Sequence, residues 1–377
     1  MNTSLILTDK TLELYRYPAS SQHKSEQAWD AADEYIVEQF AAQSGRNAKS
    51  LWIFNDDCGA LCCALAAQNP CWMGDSLVSQ LACQQNLKIN KLNTNTVNFF
   101  DSLTLPAESP EWVLIKIPKT LALLEHQLCQ LQSVVTTNTR IIAAGKVTQI
   151  HTSTLSLFEK YLGPVRTSLA KKKARLIFCQ SQSNKGLVSP YPTCWNLPEH
   201  NWRIHNHANV FARQQLDIGA RFMLQHLPDA RGKSVIDLGC GNGILGMAML
   251  AQRNAQNTCF VDESFMAVAS ARLNVQYNMA DKLQRCEFVV SDCLSAFIPR
   301  KADLILCNPP FHQQQRITDH IAWHMFKQAN DCLHTGGELR IIGNRHLDYH
   351  HKLKRLFGSY HQVAANNKFS ILSAIKK

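Results

Sequence analysis

Ser234-Val235-Ile236-Asp237-Leu238-Gly239-Cys240-Gly241-Asn242-Gly243 runs without a break into Ile244-Leu245-Gly246-Met247-Ala248-Met249-Leu250-Ala251. It reads as a short strand, a tight glycine turn and an apolar helix. Alternating glycines let a backbone adopt dihedrals closed to side chains and approach a ligand closely, at the carboxyl end of a parallel strand where open sheets bind cofactors. A second apolar run, Cys259-Phe260-Val261, ends in Asp262-Glu263-Ser264. That spacing puts a carboxylate where a ribose hydroxyl pair would sit, about 20 residues on. A dinucleotide site would hold pyrophosphate at the helix N-terminus with G-x-G-x-x-G. Here the acidic Asp237 precedes the glycines, which repels phosphate and attracts a cation, so a sulfonium ligand with an amino group fits.

The fourth element is Ala302-Asp303-Leu304-Ile305-Leu306-Cys307-Asn308-Pro309-Pro310-Phe311, an apolar strand closed by two prolines that stiffen its exit. The corner holds the Asn308 side-chain oxygen and the Pro309 or a neighbouring carbonyl as fixed acceptors beside an aromatic ring, a clamp for a planar amine. These elements resemble the motifs of class I methyltransferases that use S-adenosylmethionine. The resemblance implies Gly239, Gly241 and Gly243 around the methionine moiety and Asp262 on the ribose. In Glu287-Phe288-Val289-Val290-Ser291-Asp292-Cys293-Leu294 it implies that Asp292 accepts from the adenine amino group. Asn-Pro-Pro-Phe/Tyr is the signature of members that methylate an amino nitrogen conjugated to a π-system. Such a nitrogen is a poor nucleophile. Hydrogen bonds from its two N–H groups to Asn308 and a carbonyl favour a pyramidal nitrogen with its lone pair on the methyl carbon, while Phe311 stacks on the base.

The first half echoes this order. Leu51-Trp52-Ile53-Phe54-Asn55-Asp56-Asp57-Cys58-Gly59 stands at the glycine loop but keeps one glycine. Cys71-Trp72-Met73-Gly74-Asp75-Ser76 mirrors 259–264, Asn86 and Asn90 mirror Asn274 and Asn278, and Trp112-Val113-Leu114-Ile115-Lys116-Ile117-Pro118-Lys119 has lost the asparagine. Arg140-Ile141-Ile142 is read as the counterpart of Arg340-Ile341-Ile342. The expected fold is α/β: two tandem Rossmann-like domains from a duplication, each a mostly parallel sheet with helices on both faces. Residues 1–185 form a degenerate methyltransferase-like domain with an RNA-binding or structural role, 186–200 a polar Gly/Ser/Pro-rich linker, and 201–377 the catalytic domain.

Between linker and glycine loop, Phe211 and Arg213 are candidates for covering the cofactor and lining the substrate entry. His205 and His207 lack a third ligand nearby, so no metal is expected. Fourteen cysteines without a C-x-x-C read as reduced, buried thiols. No apolar run approaches the roughly 18–20 residues of a bilayer span, and the N-terminus lacks the pattern of a signal peptide, so a cytoplasmic, monomeric protein is expected. Residues 1–150 carry 11 Lys/Arg against 14 Asp/Glu, whereas 151–200 carry 7 against 2 and 351–377 carry 6 against none. Lys171, Lys172, Lys173 and Arg175 form one cluster, and Lys352, Lys354 and Arg355 another. Each is either a solvated face or a surface for a polyanion such as RNA.

Gln27-Ala28-Trp29-Asp30-Ala31-Ala32-Asp33-Glu34-Tyr35, Ile204-His205-Asn206-His207-Ala208-Asn209-Val210-Phe211, Asn308-Pro309-Pro310-Phe311-His312-Gln313-Gln314 and Asn344-Arg345-His346-Leu347-Asp348-Tyr349 sharpen the resemblance. Together with the two-half plan, they resemble the bacterial large-subunit (23S) ribosomal RNA guanine-N2 methyltransferases of type G, over essentially the whole chain. The resemblance implies S-adenosylmethionine-dependent methylation of one guanine at its exocyclic amine. The alternatives are a methyltransferase on another planar amine (small-subunit guanine, DNA adenine or protein glutamine) and a non-catalytic RNA-binding protein.

Overall fold

The computed structural model describes residues 3–22, 26–44, 48–182, 186–297, 301–310 and 315–377. The chain divides into two compact units, Met1–Pro190 and Tyr191–Lys377.

Unit one begins with the hairpin β1 (Ser4–Ile6) and β2 (Thr11–Glu13) and with α1 (Ala31–Ser44). Its sheet is built from β3 (Leu51–Phe54), β4 (Cys71–Gly74), β5 (Asn98–Asp101), β6 (Trp112–Lys116), β7 (Arg140–Lys146), β8 (Val165–Thr167) and β9 (Ala174–Gln180). Helices α2 (Ala60–Ala64), α3 (Leu77–Ile89), α4 (Leu121–Leu131) and α5 (Thr152–Tyr161) lie between these strands in the chain. Unit two begins with the hairpin β10 (Thr193–Leu197) and β11 (Trp202–Asn206) and with α6 (Ile218–Leu224). It continues as β12 (Ser234–Leu238), α7 (Ile244–Gln252), β13 (Asn257–Asp262), α8 (Phe265–Asn278), β14 (Cys286–Val290) and β15 (Ala302–Cys307). Then come α9 (Gln315–Cys332), β16 (Leu333–Asn344), α10 (Tyr349–Phe357), β17 (His361–Ala365) and β18 (Phe369–Ile375).

The sheet orders are β5-β4-β3-β6-β7-β9-β8 and β14-β13-β12-β15-β16-β18-β17. Counted within each sheet, both read third, second, first, fourth, fifth, seventh, sixth. The first five strands are parallel and the last two antiparallel. Successive strand side chains point to opposite faces, and both faces are covered. Leu51 and Ile53 enter one core while Trp52 and Phe54 enter the other. Leu304 and Leu306 likewise separate from Ile305 and Cys307. That is why these strands read as continuous apolar runs rather than alternating ones. The duplicated class I plan expected from the sequence is therefore present.

Two details differ from the sequence expectation. The stretch 186–200, read as linker, contains β10, whose Trp195 and Leu197 pair with Ile204 and Trp202 of β11. Its prolines and serine precede a half-buried hairpin strand, in which exposed Cys194 and Asn196 dilute the apolar signal. The Arg140 echo is displaced as well. Arg140 lies opposite Trp112, whereas Leu304, the register counterpart of Trp112, lies opposite Glu338. Arg140 therefore corresponds to Glu338, two positions from Arg340, a shift that keeps the same face of the strand.

Candidate active site

In both sheets the strand order reverses between the first and fourth strands. Open α/β sheets bind ligands in the crevice outside the carboxyl ends at such a point. In unit two the crevice lies between β12, which leads into the glycine loop, and β15, which leads into Asn308. The loop is held from several sides. Gly239 and Cys240 donate their N–H groups to the Val261 carbonyl at 2.8 and 3.0 Å, and Gly241 N–H donates to Asp262 Oδ2 at 2.9 Å. The Asn242 carbonyl accepts from Asn274 Nδ2 at 2.9 Å, while its side chain donates to Asn206 Oδ1 at 3.0 Å.

The three glycines have different tasks. A Cβ on Gly241, at φ +53°, would meet nothing within 4 Å, so the loop faces open space there. A Cβ on Gly239 would lie 3.5 Å from the Met325 methyl and 3.8 Å from the Asn308 carbonyl, on the wall toward β15. A Cβ on Gly243 would lie 2.8 Å from the Ala271 Cβ. Gly243 is thus required by helix packing at the start of α7.

Three carboxylates surround the loop. Asp237 is 1% exposed and accepts from Gly246 N–H at 2.8 Å. Burial, and then the charge of Asp262, push its pKa up to about 7. Asp262 accepts from Gly241 N–H through Oδ2 and from Ser264 N–H, at 3.1 Å, through Oδ1. A carboxylate has roughly four acceptor positions, and two of those on Asp262 tie the glycine loop to the end of β13. Asp292 lies just beyond β14, where Ser291 N–H donates to the Asp262 carbonyl at 2.9 Å, and its side chain is hydrogen-bonded to the Cys293 thiol. Burial of that thiol, with Asp292 beside it, raises the Cys293 pKa. Asn308 is half-buried, and its Oδ1 has no hydrogen-bond partner among the described residues; Pro309 behind it is buried. Phe311 lies outside the described residues.

In unit one the same positions are filled. Ile115 pairs with Phe54 as Cys307 pairs with Leu238, so Lys116 stands at the place of Asn308 and Asn55 at that of Gly239. Asn55 keeps a positive φ of 60°. Its side chain donates to the Lys116 carbonyl at 2.9 Å and exchanges two hydrogen bonds with Gln127, at 3.0 and 2.8 Å. It extends toward the strand that carries Lys116, as a Cβ on Gly239 would toward the Asn308 carbonyl. Lys116 Nζ lies 2.7 Å from Asp30 and 2.8 Å from Asp33 at the start of α1. Burial pushes Asp33 up to about 7 against the pull of Lys116. Lys116 itself is burdened by burial, but the two carboxylates raise its pKa and keep it charged. Gly74 stands where unit two has Asp262. The helical asparagines serve the same purpose in both units: Asn86 and Asn90 clamp the backbone of Tyr15 and Glu13, as Asn274 and Asn278 clamp His205 and Arg203.

The remaining candidates divide. Phe211 is 55% exposed. Arg213 turns inward, donating to the Ala208 carbonyl at 2.6 Å with its guanidinium 5.4 Å from the Tyr191 ring, so it braces its own turn. Lys171 and Lys172 are not bare cations: they pair with Glu38 and Glu34 of α1. Lys173 is exposed and Arg175 half-buried. On α10, Tyr349, Leu353 and Phe357 are buried while Lys354 and Arg355 are exposed and Lys352 half-buried. The Arg355 guanidinium lies 4.8 Å from the Trp323 ring centroid. Sequence reasoning attaches no role of their own to Asn206, Asn242 and Asn344. Their only signal is an amide at the end of an apolar strand or within the glycine loop. None of the fourteen cysteines is in a disulfide, and Cys194 is exposed. Among the described residues no helix is long and apolar enough to cross a membrane, and no group of three or more His, Cys, Asp or Glu could hold a metal ion.

Relatives carry the same plan. The curated ribosomal RNA large subunit methyltransferases G of Pseudoalteromonas atlantica and Aeromonas salmonicida are each 54% identical, over 100% of this chain and 100% of theirs. The chain belongs to this family. The Klebsiella pneumoniae member is 52% identical over 98% of this chain and 97% of its own. Within the family plan, residues 2–183 match the RLMG N-terminal domain and residues 201–373 the methyltransferase small domain. A solved structure, the T. thermophilus 16S rRNA N2 G1207 methyltransferase in complex with AdoMet and guanosine, shares the fold of the family chain. Its TM-score is 0.76 at 18% identity, covering 100% of this chain and 98% of that one.

Proposed function

We propose that the chain transfers a methyl group from S-adenosylmethionine to the exocyclic N2 amine of one guanine in large-subunit (23S) ribosomal RNA, at the crevice of unit two. The observation that carries this reading is the unpartnered Asn308 oxygen beside an open glycine loop, in a chain more than half identical over its length to large-subunit methyltransferases G.

The residues fit the cofactor. Open space at Gly241 admits it, Asp262 presents a carboxylate at the end of β13 for the ribose, Asp292 suits the adenine amine, and Asp237 with Asp262 favours a cation. When bound, S-adenosylmethionine supplies an electrophilic methyl group on a positively charged sulfur. Asn308 Oδ1 and the Pro309 carbonyl accept from the two N–H groups of the amine and direct its lone pair along the line of attack. Methyl transfer from the bound cofactor would place positive charge on that nitrogen. Asn308 stabilises that charge as an acceptor, and the nitrogen's proton leaves to water. Positioning of this kind is worth up to about 7–11 kcal/mol. Phe311 is assigned to stack on the base and Phe211 to cover the cofactor.

Extruding a guanine from its helix costs about a few kcal/mol, and RNA contacts outside the pocket offset it. Unit one, with its filled crevice, and the exposed cations Lys173, Lys354 and Arg355, with Lys352 and Arg175, are assigned to this contact. Lys171 and Lys172 contribute less because Glu38 and Glu34 neutralise them. The enzyme works as a monomer in the bacterial cytoplasm. Incubation of the chain with tritiated cofactor and unmodified rRNA, then nuclease digestion and mass mapping, should find N2-methylguanosine at one position of the large-subunit RNA. Label confined to small-subunit RNA, DNA or a release factor would overturn the proposal.

A further inference from the structure

Strands β15 and β16 are neighbours and parallel, with Cys307 opposite Ile341. Asn308, the residue after β15, and Asn344 therefore both stand at the carboxyl edge of the sheet, with Cα atoms about 8 Å apart from one strand spacing and two residue rises. Asn344 is the last residue of β16, and its Oδ1, like that of Asn308, is buried without a hydrogen-bond partner among the described residues. An acceptor buried unsatisfied is costly, and two such oxygens at adjacent strand ends mark a place where a donor-rich ligand edge belongs.

Unit one supplies the contrast. Its register places Lys116 at the position of Asn308 and Lys146 at that of Asn344. Lys146 ends β7 and precedes a 3-10 turn, as Asn344 ends β16 and precedes another. The half with an open crevice has two acceptors; the half with a filled crevice has an ammonium donor at both places.

We infer that Asn344 is a specificity residue that reads the acceptor base beside Asn308 and selects guanine over adenine. The inference rests on the proposed guanine-N2 transfer. Along its Watson–Crick edge guanine presents N2–H and, next to it, N1–H, two donors for two acceptors. Adenine presents a bare N1 lone pair, which would face an acceptor oxygen with no proton between them. A site that hydrogen-bonds one partner rejects the analogue lacking that group strongly, because its own buried polar atoms are left unpaired.

The test uses the full chain with S-adenosylhomocysteine, following displacement of fluorescent 2-aminopurine riboside by guanosine. 2-Aminopurine keeps the amine but lacks N1–H. Wild type should prefer guanosine by about tenfold or more. Asn344→Leu should reduce the preference to within about twofold while leaving S-adenosylhomocysteine affinity unchanged, and Asn344→Asp, which retains an acceptor, should keep it. If Asn344→Leu does not fold, Asn344→Ala takes its place. An unchanged preference in the apolar variant, loss of preference in Asn344→Asp, or a wild type that binds both nucleosides alike overturns the inference. Absence of rRNA methylation by wild type overturns the functional proposal instead.

Discussion

Residues 239–243 and 55–59 connect equivalent strands to equivalent helices in the same number of residues, and begin and end in the same left-handed conformation: φ is 72° and 82° in one, 60° and 77° in the other. One borders open space at Gly241, and the other is occupied. Asn55, Gln127 and Lys116 with its two carboxylates satisfy one another across the crevice of unit one, so the filled site contains its own hydrogen-bond partners. In unit two Asn308 Oδ1, at the place of Lys116, has none among the described residues. A binding crevice is thus maintained by leaving side chains out and polar atoms unsatisfied. Once the ligand is no longer selected for, the cheapest repair is a self-complementary set of side chains on the unchanged backbone.

The largest effect on this contrast should come from Asn308→Ala. If the amide is the acceptor in the transition state, turnover on rRNA should fall by about 10² to 10³, the cost of losing one positioned polar group, with cofactor affinity within about threefold. Activity within a few-fold of wild type would make Asn308 structural.

Lys116→Met tests the filled side. It leaves Asp30 and Asp33 facing each other without a cation, and should cost about 2–3 kcal/mol in urea unfolding. That is below the full 3–5 kcal/mol of breaking a buried pair, because the Asp30 side chain is 41% exposed. Calorimetry should still count one cofactor per chain, and two per chain would refute the contrast.

Asp262→Ala removes the proposed ribose acceptor and the tether of Gly241 together, so cofactor affinity should drop by about ten- to thirtyfold. Asp237 adds a pH dependence. Its pKa of about 7 in the folded protein lies above its unfolded value, so its burial costs stability increasingly from about pH 4 to about pH 7 and no more above that. A cation bound nearby favours the ionised form. Cofactor affinity should therefore rise by about fivefold between pH 6 and pH 8, and Asp237→Asn should flatten that rise in titration calorimetry.

The smallest effect concerns the basic surfaces. Replacing Lys354 and Arg355 by Gln should weaken RNA binding and reduce the slope of log affinity against log salt by about 0.7–0.9 per lost phosphate contact. Lys171→Gln with Lys172→Gln should change the slope less, because their glutamates already neutralise them. The reverse ranking, measured by filter binding across a salt series, would return RNA docking to the 171–175 segment.

The duplicated α/β plan and the switch-point crevice were legible in the sequence, whereas Asn344 at the end of β16 was not. Apolar strand runs, glycines with forced dihedrals and a double proline are local constraints that leave few conformations open. Asp237, Gly239, Gly241, Asp262 and Asn308 stand out in the sequence because each lies near the end of such a run or just after it. What each of the candidates packs against was decided by tertiary packing alone. Gly243 packs on Ala271, Lys171 and Lys172 pair with α1 more than 130 residues earlier in sequence, and Arg213 braces its own turn. Strand register also aligned Lys146 with Asn344 and displaced Arg140 from Arg340. Charge pairing and register depend on neighbours distant in the chain, and composition does not carry that information; the fold supplies it when it brings the partners within a few ångströms.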